Sequence, residues 1–161
     1  MIAAGFHADQ LEIEVGPPDL ERIRPDLTLK AATLQLVTRW TYICEGQSRF
    51  SEAAVIGDFG IQVHLGMLHR TYPEFFDGPS TACMTSSHRD VFRDEISDLL
   101  LAIEIQALRL VVHLRDAERA LTAMLQAEEL SRRFGVELDE DQSRLLGELK
   151  DGTCFGMEST D

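Results

Sequence analysis

Two tripeptides in this chain carry residue types that phosphoryl transfer uses. Asp58-Phe59-Gly60 and His88-Arg89-Asp90 match kinase sequences in which one aspartate holds magnesium and the other orients the attacking hydroxyl. Their order is the reverse of a kinase's, and no glycine-rich phosphate loop or lysine-bearing strand precedes them. The 161-residue chain is also too short for that fold. Both therefore read as chance: Asp58-Phe59-Gly60 as a helix-breaking turn, His88-Arg89-Asp90 as the polar start of a helix.

Metal sites in helical bundles commonly use Glu-x-x-His pairs, because residues three apart on one face can aim their ligand atoms at a shared ion. This chain has none. The nearest substitutes are His113 with Asp116, His64 with His69, and the carboxylate ladder Asp90, Asp94, Asp98 at four-residue spacing. The ladder crowds like charges on one face, and Arg89 and Arg93 stand near enough in sequence to relieve it. His113 reads as an edge-of-core histidine or as a helical partner of Asp116.

Covalent catalysis needs a serine or cysteine beside an oriented base, and no Gly-x-Ser-x-Gly elbow is present. Cys44 sits next to the face of a predicted helix and reads as a small core residue. Cys154, near the C-terminus, is expected to be the more reactive thiol, although exposure alone does not lower a thiol pKa. No catalytic residue, metal site or cofactor is expected. The chemistry-bearing residues instead suggest recognition. The segment Arg70-Thr-Tyr72-Pro-Glu-Phe75-Phe76 sets an arginine and three aromatics around a loop, the types that anchor protein interfaces. Arg70, Tyr72, Phe75 and Phe76 are the candidate partner-binding residues. The competing reading makes the aromatics plugs that close one end of the core.

Composition narrows the partners. The formal charge of -13 repels a phosphate backbone, so direct nucleic-acid binding is disfavoured, whereas a basic protein partner would be attracted. Three cysteines, an odd number without a Cys-x-x-Cys, form neither a disulfide framework nor a zinc knuckle, and a reducing cytoplasm is the simplest setting. The first residues show no basic stretch followed by an apolar run, so no secretion signal is expected. The most apolar stretch, Leu99 to Leu114, is short and broken by Glu104, Gln106, Arg109 and His113, so no membrane span is expected either. Thirteen arginines against two lysines suggest, by association alone, a GC-rich bacterial coding sequence.

The elements that position these residues read as mainly helical. Ile96, Leu100, Ile103, Ala107, Leu110, Leu114, Ala117, Leu121 and Met124, alternately four and three apart, form a heptad seam that another helix must cover. The seam lies in a helical region from about His88 to Arg133, with Ser87 as its cap. Unbroken, it would run roughly 65–70 Å, too long for a compact domain of this size. It must break near Arg115-Asp116 or project and pair with a second subunit. Residues 99 to 112 are apolar on nearly all sides, the pattern of a central helix.

Before it, Pro25-Asp26 opens a helix on which Leu29, Ala32, Leu36, Trp40 and Ile43 share one face, and Gly46 ends it. A second helical segment starts at Ser51. Gly57, Gly60 and Gly66 weaken it, so residues 60–68 divide almost evenly between helix and strand, with helix favoured. Tyr72 to Pro79 must leave helix, and Ser80 to Ser87 continue as a polar loop. Arg132-Arg133 and Gly135 mark a helix end, and a last helix runs from Asp139 or Asp141 to Lys150. Leu11 to Val15 alternates as a short strand. The organisation expected is an N-terminal arm over 1–25, a helical bundle over 26–150 and a tail over 151–161.

The function these patterns predict is a non-catalytic, cytoplasmic interaction or regulatory protein, a homodimer pairing along the seam. Two other classes remain. One is an acidic immunity protein or nucleic-acid mimic that neutralises a basic partner. The other is a helical-bundle enzyme or ligand carrier whose pocket is lined by Trp40, His64 and His113.

Overall fold

The computed structural model describes residues 30–77 and 86–153. These form six helices: α1 (Lys30–Gly46), α2 (Phe50–Thr71), α3 (Pro73–Phe76), α4 (Ser86–Val112), α5 (Ala117–Phe134) and α6 (Glu140–Asp151). No strand occurs among the described residues, so residues 60–68 continue the helix. The strand predicted at 11–15 lies outside them, as do most of the proposed arm and tail. The helices pack in the order α1, α2, α4, α5, α6, with α4 central and α1 and α6 at opposite edges.

The long helical region breaks at Arg115-Asp116, the first of the two outcomes its length allowed. Arg115 adopts a positive φ of 56°, and Asp116 caps α5 by accepting from the Arg119 backbone N–H at 3.0 Å. His113, in the same turn, stacks on Phe50 with ring centroids 3.9 Å apart. The turn folds α5 back along α4, so the two halves of the heptad seam cover each other. Ile96, Leu100, Ile103, Ala107, Leu110 and Met124 are buried, and Leu114, Ala117 and Leu121 are half-buried against the same core. The seam predicted to hold two subunits together is thus closed within one chain. Once a turn brings its halves face to face, six of its nine side chains are buried inside the chain.

Local signals account for the other ends. Gly135 takes the left-handed conformation at φ 65°, ending α5 just after Arg132 and Arg133. Asp139 caps α6 in a reciprocal box: its side chain accepts from the Gln142 backbone, while its own N–H donates to Gln142 Oε1 at 3.1 Å. Pro73 interrupts the ladder after Tyr72 but also supplies a preset φ at the first position of α3, so the predicted loop contains one further helical turn. No helix among the described residues is long and apolar enough to cross a membrane.

Candidate protein-interaction surface

α1 folds as a helix, as its spacing predicts, but with its apolar face turned the other way. Leu36, Trp40 and Ile43, expected to face the core, are 65%, 40% and 57% exposed, and Ala32 is exposed beside them. The buried positions are instead Thr41 and Cys44, with Val37 half-buried. The reason lies on α2. A Cβ placed on Gly60 would come within 2.6 Å of Val37 Cγ1, so only glycine lets the backbones approach this closely. Ala53 and Ala54, both buried, are also small. Thr41 returns its hydroxyl to the Val37 carbonyl at 2.6 Å, so a polar side chain is tolerated in the contact. Cys44 lies fully buried there, and burial pushes its thiol pKa up, away from nucleophilic reactivity.

Leu36, Trp40 and Ile43 stand four and three positions apart, so the outward flank of α1 is itself a short seam of the kind another helix fills. None of the three lines the cleft on the other side of the helix. That cleft, of about 270 Å³, runs between α1 and α4 over α2, with Leu34, Val37, Ile61 and Ala102 among its apolar walls and Tyr42 and Ile105 at its exposed rim. Leu101, Ile105 and Val112 leave one side of α4 open as well, so this central helix is not covered all round.

A polar ladder behind the cleft ties four helices together. Arg109, 7% exposed, donates from Nε to Glu45 Oε1 at 2.6 Å and from Nη1 to Gln106 Oε1. Gln106 Nε2 in turn donates to the Ala54 carbonyl and to Asp58 Oδ1, each at 2.7 Å. Asp58 Oδ2 accepts from Arg119 Nη2 at 3.2 Å, extending the ladder to the start of α5. A Cβ on Gly57 would collide with Gln106 Oε1 and stand 2.7 Å from Arg109 Nη1, so this glycine is the space the ladder passes through. The ladder leaves its buried polar atoms satisfied, which buried charges require if they are not to destabilise the fold. The aspartate and glycine of Asp58-Phe59-Gly60 therefore sit inside α2 with structural partners, and the segment is no turn. His88-Arg89-Asp90 lies in the first turns of α4, as the polar helix start predicted.

The other candidates are scattered. His64 is buried on the cleft wall, its Nε2 3.1 Å from Glu95 Oε2, while His69 pairs with Asp77 at 3.2 Å. His64 lines the cleft but Trp40 and His113 do not, so this cleft is not the pocket expected of those three residues. Asp90, Asp94 and Asp98 are exposed along α4, and Arg93 reaches away to the Gly135 carbonyl at 3.2 Å. No group of three His, Cys, Asp or Glu residues that could hold a metal ion occurs among the described residues.

The predicted partner-binding residues form a plug. Tyr72 is buried, and its ring meets Phe92 edge-on at 5.2 Å; Phe75 stacks on Phe92 at 4.0 Å, and Phe76 meets Phe134 at 5.0 Å. Arg133 lies over Phe76 at 5.5 Å and donates to its carbonyl at 2.8 Å. These rings close the α2–α4 end of the core, which leaves the exposed Arg70 as the outward member of the set. Sequence reasoning missed the α1 flank as a surface. Its signal was present in the four-and-three spacing, but it was assigned to the core.

Comparison with protein-family models, with curated proteins and with solved structures finds no match for this chain.

Proposed function

We propose that this chain is a non-catalytic interaction or regulatory protein of the cytoplasm, engaging a protein partner through the outward flank of α1. The observation that carries the reading is the exposure of Leu36, Trp40 and Ile43 in seam register on an edge helix. Large apolar side chains scattered singly over a surface mean little, but a register-spaced row on one helix presents the anchors that helix-in-groove recognition uses. The polar groups nearest that helix support the same reading. Arg109, Gln106 and Asp58 are committed to holding α1, α2 and α4 in place, which makes the edge helix a rigid platform.

A photo-crosslinking residue at position 36 or 43, introduced into the protein in its own cells, tests this. Adducts of discrete mass are expected from both positions and not from position 91, which is exposed on α4. If positions 36 and 43 give no protein adduct, the reading fails.

The cleft favours a second reading, a carrier of a small apolar ligand. Its size is near the low end for ligand sites, and its apolar walls meet two buried ionisable side chains, His64 and Arg109. Native mass spectrometry of protein from its own host would show a copurifying molecule. Ile105→Trp, which narrows the cleft mouth, would then expel it.

A further inference from the structure

We infer that the occupant of the α1 flank is a second copy of this chain, its own α1 laid against the first about a two-fold axis. The inference rests on the reading of that flank as the interaction surface and adds the identity of the partner.

Charge is the first argument. The chain carries -13, so two copies repel wherever their acidic faces meet. Between Ala32 and Ile43 the single charged side chain is Arg39, and Glu45 just beyond it is tied to Arg109 inside the fold. Two copies can therefore approach along α1 without bringing carboxylate rows together. A basic partner would be drawn instead to acidic rows such as Asp90, Asp94 and Asp98 on α4, and would gain nothing electrostatic from a neutral apolar stripe.

Geometry is the second. A two-fold axis sets the same patch against itself, so each residue must complement its own kind. An uncharged row of Leu36, Trp40 and Ile43 does so, because apolar side chains have no sign to oppose. Its four-and-three spacing matches the knobs of a helix pair, with Thr33 one step earlier and half-buried at the start of the row. The position of α1 completes the argument. α1 stands at the edge of the helix stack, packs mainly on α2, and so leaves room for another helix alongside.

Trp40 is the only tryptophan of the chain and lies in the row, so its emission reports the contact directly. The 161-residue chain is expected to sediment as a species of twice its 18.1 kDa mass, and on dilution to dissociate with a red shift of Trp40 emission. The double variant Leu36→Asp/Ile43→Asp should keep its helical circular dichroism. It should self-associate more weakly by roughly ten-thousandfold, since each buried Leu or Ile counts for about tenfold or more and the two-fold repeats both substitutions on the second copy. Val91→Asp should leave self-association unchanged. A wild-type monomer at every concentration overturns the inference, and so does a dimer that the double variant leaves intact. In the monomer case, adducts from position 36 or 43 to another protein would still uphold the interaction reading. Adducts to residues 1–29 of the same chain would overturn both.

Discussion

Arg109 Nε and Glu45 Oε1 stand 2.6 Å apart, joining the last turn of the central helix to the last turn of the edge helix across 64 positions of sequence. The guanidinium is buried, whereas the Glu45 side chain keeps 31% of its exposure, so water screens one end of the pair and not the other. The contact fixes where α1 ends relative to α4, and with it the walls of the cleft and the angle at which the outer flank is presented.

Removing the carboxylate leaves a buried cation with only Gln106 beside it. Glu45→Gln is expected to lower unfolding free energy by about 1–3 kcal/mol, less than for a fully enclosed pair because Glu45 is partly solvated. Urea unfolding at neutral pH measures it. An unchanged midpoint would mean that the pair contributes nothing to the fold.

Glycines in α2 should respond to alanine in opposite directions. At Gly66 a Cβ meets no atom within 4 Å, so Gly66→Ala should gain about 1 kcal/mol from helix propensity. At Gly57 the same methyl group enters the Arg109–Gln106 ladder. Gly57→Ala should lose about 1–3 kcal/mol despite the same propensity gain. Thermal melts of the two variants side by side give the comparison, and equal shifts of one sign would contradict the packing described.

Glu104, on α4 near the start of α6, has its carboxyl pKa raised chiefly by burial. Asp139 and Asp141 add to the rise, while a hydrogen bond with Gln142 and the charge of Arg144 oppose it. A folded pKa above the unfolded one means that the ionised carboxylate is disfavoured in the native state. Its penalty is therefore full above the folded pKa and disappears as pH falls below the ordinary glutamate value. Glu104→Gln should be more stable than wild type at neutral pH, with the difference closing in acid. Chemical denaturation across that range checks it, and a Gln variant less stable at pH 7 would reverse the sign.

Much of the fold was legible locally. The stop at Gly135 follows from a residue free to take the left-handed turn, and the caps at Asp116 and Asp139 from side chains that accept backbone N–H groups three residues on, so neighbouring sequence contains their cause. The buried character of the 96–124 seam was legible for the same reason, since its period alone demands a cover. Which chain would supply that cover was not. It depends on a single turn bringing α5 back onto α4. The Tyr72–Phe76 aromatics were equally ambiguous in sequence, until Phe92 and Phe134 took up their ring faces.

The helical nature of α1 and the grouping of Leu36, Trp40 and Ile43 on one side of it were set by sequence alone, because a period of 3.6 residues assigns side chains to faces. Tertiary structure decided which face turned inward. Close approach to α2 depends on shape, on the missing side chain at Gly60 receiving Val37, and that contact prevailed over the greasier row and left it outside.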